Sequence, residues 1–299
     1  MKFLKGNRLG LSILILVLVF ILVADKSMLI HRSRLFAESI EQKIELGKDI
    51  NILVLGIDAR PGEMTARSDT MILVSIHPAI QKAALIWIPR DTRLNTPTKG
   101  SYKINSVNFY KGPEKACDVV GDLLGVDVEY YVAVNFNGFE KIIDQLGGID
   151  LDVDINLYSP SSNVHLSKGR QHLNGKEALK YVRFRSTPSA DIGRTERQQK
   201  LIAALLEHIS HPAVMMKIPV LFPDLIKNVD TNIPFKSMLA LWQMKFLLNS
   251  NNTYSQTLPG YDDNTGECYW IVDPQVATSV IDSVLEGHRY EVQEKPWNY

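Results

Sequence analysis

Four arginines lie within one short segment, 181–199, which reads YVRFRSTPSADIGRTERQQ. Arg183 and Arg185 are two residues apart, so in an extended strand their side chains point to the same face. Arg194, Arg197 and Gln198 have the i, i+3, i+4 spacing that shares one face of a helix. A guanidinium group is planar, always charged, and binds phosphate oxygens through paired donors. The segment therefore predicts a diphosphate-binding site at a strand–loop–helix junction, and the alternative is a solvated charged face.

Two carboxylates are placed next to apolar runs that read as strands. Asp58 follows the run 50–57, and Asp69 precedes the run 71–76. If these strands are neighbours, both carboxylates meet at one edge of a sheet, around a loop that carries Arg67. Mg²⁺ commonly takes one or two protein carboxylates and completes its shell with water and substrate phosphate. The pair predicts a Mg²⁺ site, and the alternative is a set of Asp–Arg salt bridges that hold the loop.

Two further segments place charged residues beyond apolar runs. WIPRDTR contains Arg90 and Asp91 after Pro89, which ends the preceding strand. KINSVNFYKG contains Lys103, together with the amides of Asn105 and Asn108, in a loop before a helix. Each segment alone reads as an ordinary surface loop, but both can contribute polar groups to the same sheet edge.

These residues must be positioned by an alternation of strands and helices. Apolar runs predict strands at 50–57, 71–76, 83–88, 131–135 and 149–155. Helical spacing predicts helices at 114–124, 138–146, 174–181, 195–209, 236–248 and 274–285. The predicted fold class is α/β, an α+β sandwich with a central mixed sheet flanked by helices.

The N-terminal region predicts a membrane anchor. Residues 9–24 carry no charge and follow Lys2, Lys5 and Arg8. No small-residue cleavage motif follows, so we expect an uncleaved transmembrane helix at 9–30 rather than a signal peptide. The basic residues before it predict a cytoplasmic tail at 1–8 and a single-pass protein of the cytoplasmic (inner) membrane with an extracytoplasmic body. We expect a linker helix at 31–49, the core of the main domain at 50–211, and its C-terminal completion at 212–299.

Composition limits the classes of partner and of metal site. The 299 residues contain 33 basic and 33 acidic side chains, so no global basic field indicates a nucleic-acid partner. Cys117 and Cys268 are the only cysteines and are far apart in sequence, which excludes a cluster of closely spaced thiolates. A disulfide between them and two separate buried thiols both remain open.

The ordered motifs resemble the LytR-CpsA-Psr family of bacterial cell-envelope phosphotransferases over about residues 51–209. The motifs are GIDAR with RSDT, IPRDT, KIN, YVAVNFNGFEKIIDQLGGIDLDV, and LNGKEALKYVRFR followed by DIGRTERQQ. The resemblance implies a polyprenyl pyrophosphate-linked glycopolymer as donor, with its lipid in an apolar pocket and its pyrophosphate held by arginines and Mg²⁺. It also implies transfer of the glycan phosphate to a peptidoglycan hydroxyl.

The resemblance assigns roles to particular side chains. Asp58 and Asp69 would bind the metal and act in catalysis with Arg90 and Asp91. Phosphoryl transfer to a hydroxyl also needs a group that removes the acceptor proton, for which Asp58 is the first candidate and Asp91 the second. The pyrophosphate would contact Arg67, Arg90, Arg183, Arg185, Arg194 and Gln198, with Lys103 and Arg197 as secondary contacts. After KIN the family usually has a small residue and a Gly-Gly pair, whereas this chain has SVNFYKG at 106–112, which leaves the shape of the nearby cleft and the acceptor open. A pyrophosphatase and a membrane-tethered binding or regulatory protein are the alternatives.

Overall fold

The structure is a computed structural model that describes residues 38–58, 66–96, 100–160, 164–184, 190–244, 252–263 and 268–290. Its centre is a mixed six-stranded sheet in the order β11-β6-β1-β2-β3-β12. These strands are β1 (Ile50–Ile57), β2 (Ser68–His77), β3 (Lys82–Trp87), β6 (Tyr130–Asn135), β11 (Asp230–Thr231) and β12 (Thr253–Thr257).

The strand directions bring the ends of several strands to one edge of this sheet. β1 pairs parallel with β6 and antiparallel with β2, while β3 pairs antiparallel with β2 and parallel with β12. The carboxyl ends of β1, β3, β6 and β12 therefore lie together with the amino end of β2. Loops at this edge can combine residues that are distant in sequence.

Helices cover both faces of the sheet. Six of these helices are α1 (Ile40–Leu46), α2 (Ser106–Leu124), α3 (Phe136–Gln145), α4 (Gly175–Arg183), α5 (Ala190–Ser210) and α8 (Phe235–Gln243). A seventh is α9 (Pro274–Leu285). α2 and α9 pack on the face that carries Leu53, Leu55 and Leu73. α1 and α8 pack on part of the opposite face, around Ile50 and Ile52.

A second core lies beside the sheet and supports α4 and α5. It contains Ile143, Ile149, Leu179 and Leu201 among its buried side chains. The small pairs β7 (Ile149–Val153) with β10 (Gly169–Leu173), and β8 (Leu157–Ser159) with β9 (Val164–Leu166), contribute to it. The remaining elements are β4 (Arg93–Thr96), β5 (Gly100–Lys103), α6 (Pro212–Met215), α7 (Ile218–Ile226), β13 (Tyr261–Asp263) and β14 (Tyr269–Ile271).

The predicted fold class, a mixed sheet flanked by helices, is confirmed. The prediction that Arg183 lies in an extended strand is wrong, because Arg183 is the last residue of α4. α4 begins with a capping box in which Asn174 and Glu177 satisfy each other's backbone N–H groups, and its Ala178, Leu179 and Val182 are buried. Arg185 lies outside the described residues. The helix that carries Arg194 and Gln198 is present, and it begins at Ala190.

The predicted anchor at 9–30 also lies outside the described residues. Within the described part of the chain, no helix combines the length and the apolar character needed to cross a membrane. Cys117 is buried in the core and Cys268 is exposed, and neither is in a disulfide. The expectation of two buried thiols thus holds only for Cys117.

Candidate active site

A β-bulge positions the two predicted metal ligands at the shared sheet edge. Gly56 pairs with Thr70 and Ile57 pairs with Ser68, so Asp69 has no partner residue on β1. Asp58 follows directly, and its backbone N–H donates to the carbonyl of Arg67 at 3.4 Å. Bulges of this kind redirect a side chain while keeping the flanking register. Gly56 suits this place, because a Cβ there would lie 3.0 Å from the Cβ of Thr70.

Arg90 connects the carboxylates of this edge. Its Nη1 donates to Asp69 Oδ1 at 2.9 Å, and its Nε lies 3.4 Å from Asp91 Oδ2. Lys103 Nζ lies 2.8 Å from the other oxygen of Asp91. Asp69 therefore has an arginine partner, but this arginine follows β3 and does not come from the loop between β1 and β2, as the alternative from the sequence expected. The carboxylate of Asp58, in contrast, has no ion-pair partner among the residues that the structure describes.

These side chains line one cavity of about 1740 Å³. One part of its lining is apolar and comes from the sheet and from α3, α4 and α5, including Ile72, Val134, Phe139, Leu179, Ile202 and Leu205. The other part is polar, and it includes the predicted residues Asp58, Arg67, Asp69, Arg90, Asp91, Lys103, Arg183, Arg194 and Gln198. An amphiphilic ligand with a long apolar tail and an anionic head matches this division.

Helices α4 and α5 supply the far side of the charged region. Arg183 is exposed at the end of α4, and its Cζ lies 4.1 Å from the ring centroid of Phe136. Stacking on an aromatic ring holds a guanidinium in one orientation and leaves its N–H groups available. On α5, the Gln199 side chain donates to Thr257 Oγ1 of β12 at 3.0 Å, which fixes the helix against the sheet edge. Arg194 and Gln198 reach the cavity from this helix.

Arg197 occupies a different position from its neighbours on α5. Its side chain does not line the cavity and is only 7% exposed. Its Nη2 donates to the carbonyl of Phe184, and its Cζ lies 5.7 Å from the centroid of the Phe184 ring. Burial lowers the pKa of Arg197, and burial raises the pKa of the nearby Tyr181 to about 12. The structure therefore places Arg197 in the core, where it contacts Phe184 at the end of α4, rather than in the lining of the cavity as expected for a secondary ligand contact.

The charges around the cavity favour an anion. Among the described residues, the cationic side chains that line it number seven, namely Arg67, Arg90, Lys103, Lys176, Lys180, Arg183 and Arg194. The carboxylates of the same described lining number four, namely Asp58, Asp69, Asp91 and Glu140. Clusters of one sign of charge with apolar walls focus the field and concentrate ligands of the opposite sign.

The carboxylates of the cavity suit a metal ion that is shared with a substrate rather than one held by the protein alone. No group of three or more His, Cys, Asp or Glu side chains is gathered at one point among the described residues, so a metal held by protein ligands alone has no site there. Asp58 and Asp69 fit a hard divalent cation that is shared with a substrate phosphate, because Mg²⁺ needs only one or two protein carboxylates in such sites. Arg90 donates a hydrogen bond to one oxygen of Asp69. The carboxylate of Asp58 has no ion-pair partner within the described chain.

Two aromatic residues of the cavity were missed by the reasoning from sequence. Phe109 and Tyr110 lie in the first turns of α2, where a loop was expected up to residue 113. Both line the cavity, although they are 45% and 70% exposed. The signal that could have identified them is the adjacent pair of aromatic residues just before Gly112 and Pro113.

The profile of the LytR_cpsA_psr family matches residues 22–284. The polyisoprenyl-teichoic acid–peptidoglycan teichoic acid transferase TagV of Bacillus subtilis is 33% identical over 243 residues, which cover 78% of this chain and 61% of TagV. The regulatory protein MsrR of Staphylococcus aureus is 34% identical over 219 residues, which cover 72% of this chain and 66% of MsrR. The chain thus matches somewhat less than two thirds of either relative.

Solved structures show the same fold. The crystal structure of B. subtilis TagV superposes with a TM-score of 0.70 at 30% identity and covers 84% of this chain and 99% of that one. A structure described as TagT bound to LI-WTA superposes with a TM-score of 0.65 at 26% identity, covering 85% of this chain and 94% of that one.

Proposed function

The chain belongs to the LytR-CpsA-Psr family, and we propose that it transfers a glycopolymer from a polyprenyl pyrophosphate carrier to a hydroxyl group of peptidoglycan. Two relatives in this family are named as transferases of teichoic acid to peptidoglycan, TagV and TagU. The observation that carries the proposal is the single cavity that joins an apolar compartment to a cationic sheet edge. A lipid tail and a pyrophosphate on one molecule need those two environments side by side.

The reaction follows from the chemistry of phosphoryl transfer. The acceptor hydroxyl attacks the phosphorus that bears the glycan, and a new O–P bond forms. The bond from that phosphorus to the bridging oxygen breaks, and its electron pair leaves with polyprenyl phosphate. Arg183, Arg194 and Arg67 line the cavity and would balance the negative charge on the transferred and the leaving phosphate, which is the main contribution that a protein makes to such a step.

The acceptor proton needs a base at the same edge, and we assign that role to Asp58. Asp91 was the alternative, but its two oxygens face Lys103 and Arg90, and these ion pairs stabilise it as a charged structural group. Asp58 has no such partner among the described residues. It lines the cavity directly after β1.

Asp58 and Asp69 would hold Mg²⁺ when substrate is bound. The cation would supply further neutralisation of the pyrophosphate charge. Arg90 keeps Asp69 in place through the 2.9 Å hydrogen bond and thereby positions one of the two ligands.

We further propose that residues 9–30 anchor the protein in the cytoplasmic membrane with residues 1–8 inside and the catalytic domain outside. The uncharged run and the basic residues before it support this orientation. It places the cavity on the side of the membrane where peptidoglycan lies.

The test uses the full-length protein in detergent with a labelled lipid pyrophosphate glycan and a peptidoglycan oligosaccharide. We expect label on the oligosaccharide in the presence of Mg²⁺ and its loss when a chelator is added. Asp58→Asn and Asp69→Asn should each slow transfer by about 10²–10³, because removal of one electrostatic stabiliser of a transition state has effects of this size. Asp118→Asn is the matched control, because Asp118 is an exposed carboxylate on α2 outside the cavity.

The other outcomes separate the alternatives. Label released only as free glycan phosphate would replace the transferase with a pyrophosphatase. Binding of the lipid pyrophosphate without turnover would favour a regulatory protein, the description that MsrR carries. Transfer that is indifferent to the chelator would remove the metal from the mechanism.

A further inference from the structure

The N-terminal part of α2 presents two exposed aromatic rings at the cavity. Phe109 is 45% exposed and Tyr110 is 70% exposed, and their ring centroids are 4.9 Å apart in an edge-to-face arrangement with an interplanar angle of 77°. Large exposed apolar groups are unfavourable in water and often mark binding surfaces. Both rings line the same cavity as the cationic residues.

The backbone holds this pair apart from the rest of α2. Gly112 has φ 82° and ψ 172°, a conformation outside the helical region that L side chains rarely adopt, and Pro113 follows it without a backbone N–H. The helix is therefore kinked after Lys111. Phe109 and Tyr110 belong to a short turn on the cavity side of the kink.

Hydrogen bonds fix that turn to the segments that carry the anion-binding residues. The Asn108 amide donates to the carbonyl of Ala66 at 2.8 Å, next to Arg67. The backbone N–H of Asn105 donates to the carbonyl of Arg90 at 3.2 Å. Asn108 is almost completely buried, so water does not compete for this hydrogen bond. The backbone that carries the two rings is consequently attached to the segments that carry Arg67 and Arg90.

We propose that Phe109 and Tyr110 form a sugar-binding platform for the pyranose that is joined to the donor pyrophosphate. A pyranose has a C–H face that packs on the electron-rich face of an aromatic ring, while its hydroxyl groups require polar partners. Polar groups are present in the same cavity, because Ser101, Asn105 and Ser106 also line it. The hydroxyl groups of Ser101 and Ser106 donate to Asn95 Oδ1 and to the carbonyl of Lys103, so their oxygens are left to accept from sugar hydroxyls. The first sugar of the donor is covalently next to the phosphates, so it meets a platform that is fixed to the phosphate-binding loops. This inference rests on the proposed function.

The test compares two ligands on the full-length protein in detergent. One is geranylgeranyl pyrophosphate, and the other is the same carrier with one N-acetylglucosamine on its terminal phosphate. The double variant Phe109→Ala/Tyr110→Ala should weaken binding of the sugar-bearing ligand by about tenfold or more and leave that of the sugar-free ligand within about twofold. The exchange Phe109→Tyr/Tyr110→Phe keeps both rings and should restore binding.

A matched control is Tyr158→Ala. Tyr158 is 67% exposed and also makes an edge-to-face ring contact, with His165, but it does not line the cavity. Equal weakening of both ligands, or of neither, would overturn the sugar platform. A defect confined to the KM for the peptidoglycan oligosaccharide would overturn its assignment to the donor. A wild-type protein that binds neither pyrophosphate would refute the proposed function itself, and the platform with it.

Discussion

Arg183 and Arg197 provide a matched pair of substitutions, because both guanidinium groups stack on a phenylalanine ring while only one lines the cavity. Arg183 lies over Phe136, is exposed and faces the cavity. Arg197 lies over Phe184, is buried, and donates to a backbone carbonyl. The two alanine substitutions should therefore produce opposite patterns of stability and binding.

Arg197→Ala removes a charge-assisted hydrogen bond and leaves the carbonyl of Phe184 without it. Such bonds contribute about 1.5–3 kcal/mol, and the loss of ring stacking adds to this, so we expect about 2–3 kcal/mol of destabilisation. For a domain of this size that corresponds to a fall of about 5–10 °C in Tm. At temperatures below the new Tm, the Kd for geranylgeranyl pyrophosphate should stay within about threefold of wild type. This corresponds to a change of at most about 0.6 kcal/mol in the free energy of binding.

Arg183→Ala should behave in the reverse way. Its exposed ring contact contributes about 0.5–1 kcal/mol to stability, so Tm should fall by only a few degrees. The loss of a charge-assisted bond to pyrophosphate should weaken binding by about tenfold or more. Differential scanning calorimetry and isothermal titration calorimetry on the same preparations measure both quantities. The assignment of Arg197 to the core is refuted if Arg197→Ala melts like wild type and binds the ligand as weakly as Arg183→Ala.

Three further predictions concern other parts of the chain. Burial raises the pKa of Asp230, so ionisation of its carboxyl group opposes folding, and the stability that is present below its unfolded-state pKa is lost as the pH rises through its folded-state pKa. Asp230→Asn should therefore raise the denaturation midpoint at pH 7 and leave it nearly unchanged at pH 3. Equal shifts of the midpoint at both pH values would contradict this prediction. A thiol reagent should label Cys268 rapidly and Cys117 only after unfolding, whereas equal labelling of the native protein would contradict the burial of Cys117. Protease added to spheroplasts should digest the catalytic domain and spare a reporter fused before Met1, and the reverse pattern would invert the proposed topology.

Much of the fold was predictable because its strands are defined by strong local patterns. The run 50–57 is apolar except for Asn51, as expected for a strand that is buried on both faces, and the structure places β1 at those residues. The helix with Arg194 and Gln198 followed from their spacing. The placement of Asp58 and Asp69 at one sheet edge also followed, because the two residues flank neighbouring strands.

The remaining features depend on tertiary contacts that periodicity does not report. Arg183 sits in a helix because α4 buries Leu179 and Val182 against the second core, which outweighs the strand-like appearance of YVRFR. Arg197 points away from the cavity although it is only one residue from Gln198, since adjacent helix positions face about 100° apart. The platform at Phe109 depends on a kink at Gly112, whose positive φ cannot be identified from an isolated glycine in the sequence.

A crystal structure of the protein with a bound polyprenyl pyrophosphate glycan tests the assignment of the cavity most directly. We expect the prenyl chain between the sheet and helices α3, α4 and α5, in contact with Phe139 and Leu205, and the pyrophosphate in contact with Arg183 and Arg194. The first sugar should lie against Phe109. A ligand bound outside this cavity, or bound within it with its prenyl chain among the charged residues, would contradict the proposed function.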